Sequence, residues 1–234
     1  MDSNILILVS FNPMIKQNQL YIPFEFENRK PYFQNQLLFV PKSFDDHLSL
    51  IPYWSFENDN LINVEYCSGN GDWIIRQAKD NPNINWIAVE IKIVRAKQIY
   101  KKLHDNSLKN LIVVLGPGEE FTKYYLKNKI INEIFINFPD PWPKRRHEKN
   151  RLITEDFIGD VFKILEKNKY INIISDDDNF INWVVSQFLK NISFGSFYDK
   201  PYYKLLENNF GSSFFENLWR EKNKTIKHVR FKKR

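Results

Sequence analysis

From about residue 61 onward, short apolar runs alternate with longer stretches of helical periodicity, and this alternation limits the possible folds more than any other feature. Leu61 to Cys67, Trp86 to Glu90, Leu111 to Leu115, Ile134 to Phe138 and Tyr170 to Ser175 have the length and the β-branched, apolar content of strands. Runs of this kind separated by helical patterns predict βαβ units and a parallel sheet. Phe157, Ile158, Val161, Phe162 and Leu165 recur at helical spacing behind Thr154, a suitable N-cap, with Glu155 and Asp156 in the first turn. After Asp178, a second stripe of Phe180, Ile181, Val184, Val185, Phe188 and Leu189 repeats the pattern. Both stripes are core. Residues 1–58 read differently: Pro13, Pro23, Pro31 and Pro41 punctuate short apolar runs, which predicts an irregular extension ahead of one domain over 59–234.

The 234 residues, 43% of them hydrophobic, suffice for one sizeable core. Cys67, the single cysteine, has no partner for an internal disulfide, and the expected location is a reducing cytoplasm. The early apolar run Ile5 to Val9 is far shorter than the roughly 20 residues that span a bilayer, so no membrane partner is expected. No His and Cys spacing suggests a metal site. The net charge of +6 can arise from compositional bias alone, so the placement of the cations is the better guide. Lys144, Arg145, Arg146, His147, Lys149 and Arg151 fall within eight residues, and a second basic group runs from Lys222 to Arg234. Such clusters attract phosphate backbones.

Open parallel sheets bind ligands outside the carboxyl ends of their strands. The first strand runs into Cys67-Ser-Gly-Asn-Gly71, where Gly69 and Gly71 allow either a nucleotide-binding loop or simply a tight turn. Glu65 lies just before this loop, and Glu90 ends the next strand about 20 residues on, the position from which an acid can hold a ribose. A dinucleotide would favour a third glycine where Ile74 stands, and Asp72 repels phosphate; both point to an adenosine cofactor without phosphates. The fourth strand ends in Asn137-Phe-Pro-Asp-Pro-Trp-Pro-Lys144, whose prolines stiffen the chain around Asp140 and Trp142. The fifth ends in Ser175 and Asp176.

Phe138-Pro-Asp-Pro-Trp-Pro-Lys-Arg-Arg-His147, followed by Lys149-Asn-Arg-Leu152, resembles the hallmark segment of the tRNA (guanine-N7)-methyltransferases. The resemblance runs from about Glu65 to the chain end, where Ser213-Phe-Phe-Glu216 occupies the place of the family's Thr-x-Phe/Tyr-Glu segment. It implies a Rossmann-like class I methyltransferase sheet, mostly parallel with an antiparallel C-terminal strand and with helices on both faces. It also implies S-adenosylmethionine as cofactor, held by Glu65, Gly69, Gly71, Glu90, Pro117 and Asp140, and Asp140 as the catalytic acid at the target base. By the same resemblance, Lys144, Arg145, Arg146, His147, Asp176, Ser213, Phe214, Phe215 and Glu216 contact tRNA. Three positions depart from the family: Cys67 replaces the first loop glycine, Pro117 stands where an acid is usual, with Glu119 and Glu120 nearby, and Ser213 replaces threonine. The oligomeric state, monomer or homodimer, is left open. Two other readings remain at this point: a related methyltransferase with a different substrate, and an RNA-binding homologue that has lost catalysis.

Overall fold

A computed structural model describes residues 30–42, 51–127, 130–207, 210 and 213–234. Pro13, Pro23 and the run Ile5 to Val9 lie outside the described residues.

The predicted alternation forms a Rossmann-like sheet in the order β1-β2-β5-β4-β3-β6-β7-β10-β8, with β9 beside β10. Its centre is β3 (Ile62–Tyr66), β4 (Asn85–Glu90), β5 (Leu111–Leu115), β6 (Ile131–Asn137) and β7 (Leu165–Ser175), all parallel to one another. The C-terminal strand β10 (Lys227–Lys233) runs antiparallel to β7, and β8 (Phe194–Ser196) and β9 (Lys204–Leu205) pair antiparallel with β10. The strand order reverses direction at β3 and β6, which opens a crevice at their carboxyl ends.

Helices cover both faces because successive side chains on each strand point to opposite sides. Trp86 and Ala88 of β4, with Leu111 and Val113 of β5, pack against α1 (Asp72–Asp80) and α2 (Ile93–Asp105) through Trp73, Ile74, Ala96, Ile99 and Leu103. On the other face Ile87, Val89, Ile112 and Val114 join Val64 and Tyr66 beneath α4 (Glu155–Ile164) and α5 (Asp178–Lys190). Between β5 and β6 a single turn, α3 (Gly118–Glu120), continues into a π-helical turn over Phe121–Tyr125. The α4 cap is as expected, with the Thr154 hydroxyl accepting from the Phe157 amide. Helix α5 is capped by Asp177, which accepts from the Phe180 amide.

Two segments differ from expectation. Residues 32–39, read as irregular, form a hairpin of β1 (Tyr32–Gln34) and β2 (Leu37–Phe39), and β2 adds to β5 in parallel. Trp54, in the same early segment, is buried against Phe121. Strand β7 begins at Leu165, because Leu165 is buried opposite Ile131 before the register shifts and pairing resumes at Tyr170. The polar stretch Glu166 to Lys169 between them hides this start from an apolar pattern.

The hairpin docks through an unusually close backbone approach. Val40 N–H donates to the Leu115 carbonyl, and a Cβ at Gly116 would lie 2.2 Å from the Val40 carbonyl oxygen. Gly116→Ala therefore forces β2 off β5. Overpacking of this kind costs about 1–3 kcal/mol, and a chain of this size loses roughly 2–4 °C in Tm per kcal/mol. Thermal unfolding by circular dichroism checks this; an unchanged Tm would show that the hairpin does not need that approach.

Candidate active site

The crevice at β3 and β6 is a cavity of about 520 Å³ lined by the ends of β3, β4, β5 and β6 and the loops that follow them. Cys67, Glu90, Pro117, Glu119, Glu120, Asp140, Trp142 and Phe215 all reach its wall. A smaller recess behind it, sharing Cys67 and Phe215, is lined by Glu65, Gly69, Gly71, Asn137 and Ser213.

The loop after β3 is built on Glu90. One carboxylate oxygen accepts from Gly69 N–H at 2.9 Å and the other from Lys92 N–H at 2.8 Å, so the acid joins two neighbouring strand ends. Burial raises its pKa, and those two amides and Arg95 oppose the rise. Gly71 starts α1 at φ 79°, and a Cβ there would meet Ile99 at 2.8 Å, so only glycine fits. Cys67 has φ 60°, the left-handed region in which the family's glycine is at ease. Burial and then the carboxylates of Glu90 and Asp140 push its thiol pKa up, which keeps it protonated and inert. Asp72 is paired with Lys102, whose ammonium also donates to the Asn70 carbonyl.

Glu65 is 2% exposed. One oxygen accepts from the Asn137 side-chain amide at 2.8 Å, while Glu65 Oε2 and Asn137 Oδ1 are buried without a hydrogen-bond partner. Buried polar atoms are seldom left unmatched, so this pair is suited to a ligand that brings donors. Burial, opposed in part by Asn137, raises the carboxyl pKa to about 7. Residues 67–73 contain no cation to receive a phosphate. The residues thus fit a cofactor with an ammonium-bearing tail for Glu65 and ribose hydroxyls for Glu90, whose carboxylate keeps further acceptor positions. Pro117 precedes α3 and offers no acid, whereas burial raises the pKa of adjacent Glu119 at the same wall.

Asp140 stands on the loop after β6, exposed at the mouth, with Lys92 Nζ 3.9 Å from its carboxylate. Phe138 and Trp142 flank it at φ 49° and 44°, left-handed conformations that non-glycine residues rarely adopt. Next comes a 3₁₀ turn, Arg145–Asn150, preceded by Lys144. Lys144, Arg146 and Lys149 are exposed beside the mouth, and His147 meets the Trp142 ring edge-on at 5.7 Å. Arg151 points inward instead.

The C-terminal segment divides. Ser213 caps α6 (Phe214–Glu221) by accepting from the Glu216 amide. Glu216, expected to face RNA, is 1% exposed and its carboxylate accepts from Phe210 N–H and from the Arg220 guanidinium. Phe210 stacks on Trp73, which also donates its indole N–H to the Phe210 carbonyl. These contacts bring Phe215 over the glycine loop, with the Arg95 guanidinium 5.4 Å from its ring, and leave Phe214 half exposed. Asp176 is not brought to the cavity; it pairs with Lys224 at 3.3 Å. Asn137 and Arg95 were not singled out from the sequence as site residues, although Asn137 immediately precedes the proline-rich segment, whereas Glu119 was noted beside Pro117. Among the described residues no group of His, Cys, Asp or Glu is arranged to hold a metal ion, and no helix is long and apolar enough to cross a membrane.

A family model described as "Putative methyltransferase" matches residues 59–229. The tRNA (guanine-N(7)-)-methyltransferase of Chlamydia caviae is 38% identical over 223 residues, covering 94% of this chain and 99% of the relative. That of Chlamydia trachomatis is 35% identical with the same coverage. Among solved structures, a 30S ribosomal A1408 methyltransferase from an uncultured bacterium superposes with a TM-score of 0.52 at 17% identity, covering 74% of this chain and 88% of the other. An aminoglycoside resistance methyltransferase gives 0.54 at 10% identity, covering 76% and 90%. At such identities these two speak for the fold alone, whereas the Chlamydia relatives align nearly end to end, and on that ground the chain belongs to the tRNA (guanine-N7)-methyltransferase family.

Proposed function

We propose that this chain transfers the methyl group of S-adenosylmethionine to N7 of a guanine in the variable loop of tRNA. The observation that carries the reading is the position of Asp140. It lines the same cavity as Glu90 and Cys67, which heads the glycine loop, and a run of exposed cations begins four residues after it.

Bound in that cavity, S-adenosylmethionine supplies a methyl group activated by its sulfonium. Glu65 and Asn137 hold the amino-acid tail, Glu90 holds the ribose hydroxyls, and Glu119 borders the adenine in place of the acid that Pro117 displaces. Guanine N7 carries an in-plane lone pair, so no strong base is needed to create the nucleophile and orientation does most of the work. Asp140 accepts from the guanine N1 and N2 donors and faces the positive charge that develops on the purine ring. Trp142 gives the extruded base an apolar surface. Lys144, Arg146 and Lys149 meet the phosphates on either side.

Methyl-labelled S-adenosylmethionine supplied with tRNA transcripts that do or do not carry a guanine in the variable loop tests the whole reading. Label should enter only the guanine-bearing RNA; no transfer to it would refute the assignment. Asp140→Asn should lower kcat on the order of 10²-fold, as removal of one group aimed at developing charge does. Full activity in that variant would take Asp140 out of the chemistry.

Glu65 makes a separate prediction through its raised pKa. With the folded pKa above its ordinary value, this carboxyl's contribution to stability is present at low pH and lost as pH rises through about 7. A ligand ammonium requires the ionised form, so binding releases a proton below that pH. Affinity for S-adenosylhomocysteine, measured by calorimetry, should rise between pH 5.5 and 7 and then level off. Glu65→Gln should remove the pH dependence; an identical slope in both proteins would contradict the role.

A further inference from the structure

Arg151, the last cation of the basic segment, is turned away from the RNA-facing side. The residue is 7% exposed. Its Nε donates to the Pro141 carbonyl at 2.9 Å and its Nη2 to the Trp142 carbonyl at 3.2 Å. The guanidinium lies 4.5 Å from the centre of the Trp183 ring on α5, and Nη1 is 3.7 Å from Glu148. A planar fork that stacks on an aromatic face while donating to two adjacent acceptors uses what arginine has and lysine lacks.

The two carbonyls it grips belong to the loop that carries Asp140. That loop leaves relaxed backbone geometry at both ends, at Phe138 and Trp142, and such conformations persist only where the surroundings hold them. Phe138 N–H is held by the Ile174 carbonyl of β7, which anchors the entry. The exit is held by Arg151. We infer that Arg151 is a positioning residue for methyl transfer, fixing Pro141 and Trp142 and through them Asp140, and that it does not bind a phosphate. The inference deepens the proposed function and rests on it only insofar as Asp140 meets the target base.

Three proteins separate a loop clamp from an RNA contact: Arg151→Met, which keeps the length and loses every donor, Arg151→Lys, and Lys149→Ala as a phosphate-contact reference. Arg151→Met should lower kcat on the order of 10²-fold, the scale set by a misplacement of about 1 Å. Its KM for tRNA and the slope of log Kd against log salt should match the wild type. Arg151→Lys, retaining a charge over Trp183 and one donor, should recover part of that loss. Lys149→Ala should instead weaken tRNA binding and reduce the salt slope by about 0.9. A normal kcat in Arg151→Met, with weaker tRNA binding and the shallower slope, would overturn the clamp.

A second readout needs no activity. In protein labelled with 5-fluorotryptophan, the fluorine lines of Trp142 and Trp183, assigned from Trp142→Phe and Trp183→Phe, should shift or broaden in Arg151→Met while the other lines hold. An unmoved Trp142 line overturns the inference whatever the rate. Should wild-type protein transfer no methyl group to tRNA, the proposed function fails and the fluorine spectrum still decides the clamp. Should Arg151→Met fail to fold, Arg151→Lys carries both measurements.

Discussion

The parallel register of β5, β4, β3, β6 and β7 is the constraint on which everything else in this molecule depends. Because the five strands run in one direction, their carboxyl ends emerge along one edge, and the reversal of strand order between β3 and β6 parts the loops there. Both faces of the sheet are covered by helices, so polar groups that leave the strands collect at this edge. Glu90 then ties the edge together: its carboxylate takes an amide from the β3 loop and another from its own, turning two strand ends into one wall. The site is a consequence of strand direction before it is a consequence of any single catalytic group.

A second consequence concerns the basic segment, which divides into cations with opposite tasks. Lys144, Arg146 and Lys149 stay in solvent beside the cavity, whereas Arg151 is spent on the backbone of the loop it follows. The same division occurs near the chain end. Ser213 and Glu216 secure α6 and its connection to Trp73, and this leaves the two phenylalanines between them to face the site and the solvent. In both places one short motif supplies a support and a working surface, and the support is the buried part.

Much of this was legible in one dimension, for identifiable reasons. Strand β5 matches its predicted bounds because its five apolar residues are buried on both faces, and the Thr154 cap was readable because capping is local. The strand pattern alone puts Glu90 at a strand end and the glycine loop and Asp140 just beyond two others, whereas the roles expected of Glu65 and Asp140 came from the family resemblance. The hairpin of β1 and β2 escaped because three-residue strands carry almost no periodicity and its partner β5 lies 76 residues further along the chain, Leu37 pairing with Val113. The inward turn of Arg151 escaped as well: in a row of cations nothing distinguishes the one that will stack on Trp183. Cys67 shows the converse. Its departure from glycine was visible in the sequence, but that it keeps the left-handed conformation with an inert thiol required the fold.

In the proposed function one cavity holds both the methyl donor and the base, with Asp140, between the two strained residues of the loop, orienting the base. A structure of the protein bound to S-adenosylmethionine's demethylated product and tRNA measures this most directly. The expected result is the cofactor sulfur beside Cys67 and Glu90, a guanine extruded against Trp142 with N7 aimed at that sulfur, and room between them for reacting atoms about 3–3.5 Å apart. A guanine bound outside the cavity, or one whose N7 faces away while Asp140 touches neither base nor cofactor, would contradict it.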